Sequence, residues 1–302
     1  MISSVAIIGM GALGLMYASR MSASGEISPI FVMDEEHMRR TEGHAFEVNG
    51  RPVAFERRLS ADMQPVDLVM VATKMTALEA AIELMGTCVD EHTVIVSVCN
   101  GITSEEKIGA RFRMQRVIPC VAQGMDAVKL GDSLKFSSEG VLIIGTLPVT
   151  DSAAFEELKG FFDRTGVSYI ADEDIMLRMW KKFMLNCGIN QSCMVYSSTY
   201  GKAVRPELPE YRCFVDAMQE VRLLAAAEGY EITQADIDYY IQLMASLDPD
   251  GMPSMAQDRI SHRPSEVDTF AGTVLRLAGR HGIDVPVNRF IYDEVKRIEA
   301  EY

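Results

Sequence analysis

Val5-Ala6-Ile7-Ile8-Gly9-Met10-Gly11-Ala12-Leu13-Gly14 opens the chain with an apolar run that leads straight into three glycines at GxGxxG spacing. A helical stretch follows to about Ser24 and is stopped by Gly25. A second apolar run, Ile30 to Met33, ends at Asp34, twenty positions after Gly14. Strand, tight turn, helix and strand in this order form the opening βαβ unit of a parallel sheet. Gly9 permits the turn, Gly11 lets the backbone approach a pyrophosphate, and Gly14 lets helix and strand pack closely. The start of the helix, at Ala12, Leu13 and Gly14, offers free amides to phosphate oxygens. A glycine-rich turn without a ligand has the same spacing, but here the strand before and the acidic residue after complete the context of a dinucleotide site.

Asp34 stands where a carboxylate accepts hydrogen bonds from the adenosine ribose hydroxyls. It repels a 2′-phosphate, as do Glu35 and Glu36, which favours NAD over NADP. Arg39 and Arg40 follow closely enough to reverse that preference. A plain turn residue at Asp34 is the structural alternative.

Further β-like runs lie at Leu68 to Ala72, Val94 to Val98 and Val117 to Val121, with a helical stretch at Thr76 to Met85. Strands alternating with helices argue a doubly wound α/β domain. Lys74 and Asn100-Gly101 then fall at the carboxyl ends of strands, where such sheets bind ligands. A solvated loop lysine and an Asn-Gly turn are the bland readings of the two positions. Lys135 to Ser137 and Gly140 to Ile144 read as a hairpin. A helix from Ser152 to Thr165 and a run at Val167 to Ile170 close this half.

Beyond Glu173 the pattern turns helical, at Asp174 to Tyr196, Pro209 to Ala227, Thr233 to Met244 and Ser265 to His281. The expected division is a doubly wound domain over residues 1–171 and an all-α domain over 172–302. In the segment Trp180 to Asn190, Lys182, Asn186 and Asn190 recur at i, i+4 and i+8, one face of a helix. Two asparagines and a lysine among apolar residues need partners if buried, and a bound carbonyl and carboxylate would supply them. An exposed polar stripe is the alternative. Ser254-Met255-Ala256-Gln257 has the form of a helix capping box. Glu266 falls in the first turn of an expected helix, where the dipole alone favours a carboxylate.

The bulk properties exclude other classes. The chain has 302 residues, 48% of them apolar, and a formal net charge of −14. That charge, with no dense Lys/Arg run, speaks against nucleic acid as partner. No apolar run is long enough to span a bilayer, and no leader pattern opens the chain. The six cysteines, Cys88, Cys99, Cys120, Cys187, Cys193 and Cys213, form no CxxC, and the histidines no HExxH, so no metal site is expected. A cytoplasmic protein with reduced thiols is the expectation.

Taken together, GMGALG, Ala72-Thr73-Lys74, Asn100-Gly101, Trp180 to Asn190, Ser254 to Asp258, Arg263 to Asp268 and His281 to Asn288 resemble the ketopantoate reductase (2-dehydropantoate 2-reductase) family, essentially end to end. The resemblance implies an N-terminal Rossmann-type domain, an all-helical C-terminal domain and an active site between them. It implies reduction of 2-dehydropantoate to pantoate in pantothenate biosynthesis, by a monomer or homodimer. Lys182 would be the general acid, assisted by Glu266. Asn100, Asn186, Asn190 and Ser254 would hold the substrate, and Lys74, with Asn100 again, would sit near the cofactor. One departure is plain: family members commonly carry an arginine for the NADPH 2′-phosphate where this chain has Asp34. Two other readings stand beside this one. They are a reductase for another branched or aromatic 2-keto acid, in effect a D-2-hydroxyacid dehydrogenase, and a dinucleotide-binding sensor without turnover.

Overall fold

Alternation along the first strand, β1 (Val5–Ile8), decides the layering. Val5 and Ile7 enter one hydrophobic core while Ala6 and Ile8 enter another, so the sheet is covered on both faces. The computed structural model describes residues 1–302 and divides them into two units, Met1–Ile175 and Met176–Tyr302.

In the first unit β1 is followed by α1 (Ala12–Ala23), β2 (Ile30–Met33), α2 (Glu35–Arg40), β3 (Phe46–Val48), β4 (Arg51–Val53) and β5 (Glu56–Leu59). Next come β6 (Leu68–Val71), α3 (Leu78–Met85), β7 (Val94–Ser97), α4 (Ser104–Arg111) and β8 (Val117–Ile118). The unit closes with β9 (Cys120–Met125), β10 (Val128–Leu130), β11 (Ser133–Lys135), β12 (Glu139–Ile144), α5 (Ser152–Thr165) and β13 (Tyr169–Ala171). Six strands form one parallel sheet in the order β5-β2-β1-β6-β7-β8. Counted along the chain this is third, second, first, fourth, fifth, sixth, the Rossmann order, whose switch point lies between β1 and β6. The short strands make two further sheets, β10-β11-β3-β4 and β13-β12-β9.

Two expectations for this unit need correction. Val117 to Val121 is not one strand. Pro119 lacks an amide, and the chain changes sheets there, from β8 in the parallel sheet to β9 in the three-stranded one. Nor do the runs around Lys135 and Ile144 pair as a hairpin. β11 pairs with β10 and β3, whereas β12 pairs with β9 and β13. The Ser137-Ser138 amides donate instead to Asp126 Oδ1 at 2.8 Å each. α5 spans Ser152–Thr165, capped by Asp151 and ended by left-handed Gly166. Its Phe161 and Phe162 are fully buried, each contributing about 1.5–3 kcal/mol of apolar burial.

Ile175 begins α6 (Ile175–Leu185) yet belongs to the first unit, because it packs over Gly145, where an added Cβ would lie 2.5 Å from the Ile175 Cβ. The rest of the chain is helical. After α6 come a π-helical turn (Asn186–Asn190), α7 (Gln191–Tyr196), α8 (Tyr200–Ala203) and α9 (Pro209–Ala227). Then follow α10 (Gln234–Ala245), α11 (Ser254–Ile260), α12 (Ala271–His281) and α13 (Pro286–Glu299). α9 and α13 start with proline in the first turn, where its missing amide costs nothing. Thr233 and Asp236 form a reciprocal capping box on α10.

Three helical expectations change. Asp174 to Tyr196 is not one regular helix but α6, the π-turn and α7. Ser265 to His281 is not helical throughout, since α12 begins only at Ala271, so Glu266 lies outside the helix. Ser254 makes no capping box: Pro253 holds the cap position with no side-chain bond, and Gln257 Nε2 donates to Met252 O at 2.9 Å.

Candidate functional site

The candidate groups of the first unit follow the carboxyl ends of β1, β2, β6 and β7. Ala72 N donates to Ile8 O at 2.8 Å, and Val98 N to Val71 O at 2.9 Å, which ties the ends of β1, β6 and β7 together. Gly9 has φ +107°, and a Cβ there would lie 2.6 Å from Ala72 O. A Cβ on Gly14 would lie 2.0 Å from Gly9 O. Both glycines are therefore demanded by the protein's own packing. Gly11 is different. A Cβ there would meet only Ala72 O, at 3.7 Å, an ordinary contact. Its missing side chain leaves room over the backbone rather than relieving a clash. Gly11 is also the N-cap of α1 and makes no side-chain cap, so no side chain competes for the amides of Ala12, Leu13 and Gly14. This open cradle at a helix N-terminus fits a dinucleotide pyrophosphate.

Asp34 follows β2 and caps α2. Its Oδ1 accepts from His37 N at 2.7 Å, and the His37 imidazole lies 2.8 Å from the same oxygen. The His37 amide, chiefly, holds the Asp34 carboxyl below the usual carboxylate range. The turn reading of Asp34 thus describes its local role. Even so, 46% of the side chain is exposed, and a carboxylate has acceptor sites to spare. Arg40 sits 3.9 Å from Glu36.

Lys74 is exposed and precedes a 3₁₀ turn, Met75–Ala77. Asn100 is half-buried before Gly101, whose φ is +100°. Cys99 Sγ reaches Thr73 O at 3.2 Å and links the ends of β6 and β7. Sequence reasoning missed that cysteine because an isolated thiol carries no pattern.

In the second unit the candidates lie on α6, the π-turn, α11 and the turn before α12. Lys182 is half-buried in the last turn of α6. Its neighbour Lys181 is bound to Asp236 at 2.6 Å, a structural tie to α10. Asn186 and Asn190 are 8% and 7% exposed, and Asn190 Nδ2 donates to Asn186 Oδ1 at 3.1 Å. The two amides, four residues apart, meet through this bond across the π-turn. Asn186 Nδ2 is buried and has no hydrogen-bond partner. Gly188 explains where the π-turn sits: a Cβ there would lie 2.7 Å from both Met218 Cγ and Phe214 Cδ2, so α9 packs directly against the turn. Complete burial pushes the Cys187 thiol well above its ordinary pKa, so it stays neutral.

Glu266 is 5% exposed in a turn where Thr269 N and Phe270 N both donate to its carbonyl, at 2.9 and 3.1 Å. The flanking residues are anchors. Ser265 N donates to Glu299 Oε1 at 2.7 Å. Asp268 accepts from Lys296 Nζ at 2.7 Å and Tyr292 OH at 2.8 Å. Burial raises the Asp268 pKa, but these two donors outweigh it and leave it lowered. Ser254 is exposed as the first residue of α11, and Arg259 ties that helix to α7 by donating to Val195 O at 2.8 Å. Arg259 is a second residue the sequence did not single out. No group of three or more His, Cys, Asp or Glu converges as a metal site, and no helix is long and apolar enough to cross a membrane.

Family models match both units: "Ketopantoate reductase PanE/ApbA" over residues 5–148 and its C-terminal counterpart over 174–299. The chain is similar to the 2-dehydropantoate 2-reductase of Mycobacterium tuberculosis, 27% identical over 297 residues and 95% of each chain. A solved 2-dehydropantoate 2-reductase from Geobacter metallireducens superposes with TM-score 0.85 at 25% identity, covering 97% of this chain and 99% of that one. A D-mandelate dehydrogenase solved with NADH and anilino(oxo)acetate shares the fold, with TM-score 0.86 at 22% identity over 99% and 98% of the two chains.

Proposed function

Because this chain belongs to the ketopantoate reductase family, we propose that it reduces the keto group of a small 2-keto acid, 2-dehydropantoate foremost, to the 2-hydroxy acid. The reading rests above all on Asn186, whose buried Nδ2 lacks a partner beside Asn190. An unsatisfied buried donor costs about 1–3 kcal/mol, which a ligand oxygen would recover. Asn186, Asn190 and Ser254 bind the substrate's carboxylate and keto oxygens, amides and a hydroxyl serving without further formal charge.

The nicotinamide cofactor, when bound, supplies the hydride. As negative charge develops on the keto oxygen, the Lys182 ammonium stabilises it and donates the proton. The buried carboxylate of Glu266 assists that lysine. Gly9, Gly11, Ala12, Leu13 and Gly14 hold the dinucleotide's phosphates, and Lys74 lies near it. Asp34 favours NADH. Its carboxylate remains charged at neutral pH, accepts from ribose hydroxyls and repels a 2′-phosphate, with Glu35 and Glu36 adding to the negative field. Arg39 and Arg40 are the groups able to reverse this preference, since the exposed pair of Arg40 with Glu36, at 3.9 Å, is too weak to hold it back.

A second substrate class, larger branched or aromatic 2-keto acids, draws support from the D-mandelate dehydrogenase among the structural neighbours. The test is a panel of 2-keto acids run with NADH and with NADPH. The expected result is turnover of 2-dehydropantoate or a close branched analogue, with kcat/KM at least about tenfold higher for NADH. Tight dinucleotide binding with no turnover of any keto acid overturns the reading in favour of a sensor. A higher kcat/KM with NADPH overturns the cofactor assignment alone.

A further inference from the structure

Gln191 directly follows the asparagine pair and is fully buried. Its backbone N–H donates to Gly188 O, three residues back. Its side-chain Nε2 donates to Cys187 O, four residues back, at 2.8 Å. A side-chain amide thus fills the bond that a regular α-helix would make with a backbone N–H. The other end of the same amide reaches a different element: Gln191 Oε1 accepts from Ala271 N at 3.0 Å. The amides on either side of Ala271 belong to the turn that carries Glu266, since Phe270 N donates to Glu266 O and Gly272 N to Val267 O. One planar amide therefore joins the π-turn bearing Asn186 and Asn190 to the turn bearing Glu266. It cannot rotate by half a turn without setting oxygen against Cys187 O and NH₂ against the Ala271 N–H.

We propose that Gln191 is a positioning residue for the reaction assigned above, holding the asparagine pair at a fixed distance from Glu266 without touching substrate. The inference rests on that functional reading. Its two partners are backbone groups of fully buried residues. Displacing the asparagine pair misaligns its hydrogen bonds to the keto acid and so weakens binding, which gives the locked amide functional weight beyond the packing of its helix.

Gln191→Met keeps the volume and removes both bonds. The expected outcome is a keto-acid KM raised about tenfold or more, with dinucleotide Kd unchanged and the circular dichroism spectrum of wild type. Gln191→Glu keeps an acceptor for the Ala271 amide and loses the donor to Cys187 O, so its KM is expected between the two. A wild-type keto-acid KM in both variants overturns the inference, as does a fall in kcat and melting temperature with KM unmoved, the mark of a merely structural role. If Gln191→Met yields no folded protein, Gln191→Glu carries the same test: a raised keto-acid KM supports positioning and an unchanged one overturns it. Wild-type protein inactive on every 2-keto acid overturns the functional reading, and the inference with it. Active wild type with unaffected variants overturns the inference alone.

Discussion

In the first unit the phosphate-binding candidates are backbone amides and missing Cβ atoms after a regular strand and at the start of a regular helix; in the second the asparagine pair consists of side chains on a helix that leaves α-geometry at Asn186. The first arrangement needs only glycines in the right places, because the phosphate-binding groups belong to every residue's backbone. The second needs particular side chains held by particular neighbours: Gly188 against α9, Gln191 against α12, Arg259 against α7. A backbone cradle is robust to most substitutions outside its glycines, whereas a side-chain constellation depends on residues that carry no chemistry.

The glycine turn gives the largest expected effect. Gly14→Ala places a Cβ 2.0 Å from Gly9 O and is expected to destabilise the protein by about 3 kcal/mol or more. Gly11→Ala is expected to keep the wild-type melting temperature to within about 2 °C and to weaken dinucleotide binding at least about tenfold. Thermal denaturation and fluorescence titration of the pair separate packing glycine from binding glycine. Unchanged dinucleotide affinity in Gly11→Ala breaks the contrast between the units.

A smaller effect is expected at Asn186. Asn186→Ala should raise the keto-acid KM about tenfold while leaving the dinucleotide Kd alone, as steady-state kinetics and titration will report. Equal loss of both affinities contradicts the separation of roles.

The smallest effect sharpens the comparison from the other side. Tyr17 in α1 also has a buried polar atom with no partner, its hydroxyl, and burial above all raises that hydroxyl's pKa well beyond the ordinary value. Unlike Asn186 it has no place among the groups assigned to cofactor or substrate. Tyr17→Phe is expected to leave kinetics unchanged and to stabilise the fold by up to about 1 kcal/mol, read as a small rise in melting temperature. A fall in melting temperature shows that the hydroxyl is satisfied in solution.

These contrasts also account for what was legible in the sequence. β1, β2, α5 and α9 were read to within a residue because apolar runs, Gly166 and Pro209 mark them locally. The pairing of β11 and β12 was not legible, since it depends on partners far along the chain, β3 and β9. Lys182, Asn186 and Asn190 were found by spacing, yet the π-turn that sets them was hidden. It follows from the packing of Gly188 on Phe214 and Met218, residues of a distant helix that no local pattern announces. Glu266 was read as a helix residue because Pro264-Ser265 imitates a helix start, while tertiary anchors at Glu299 and Lys296 hold the segment as a turn.

The central claim is that dinucleotide and keto acid are handled by separate residue sets, with Lys182 supplying the proton. The most direct test is Lys182→Ala, with NADH affinity measured by fluorescence titration beside kcat for the best 2-keto acid. The expected result is a loss of turnover of about 10²–10⁴-fold with the NADH Kd within about twofold of wild type. Retained turnover, or a parallel loss of NADH binding, contradicts the account.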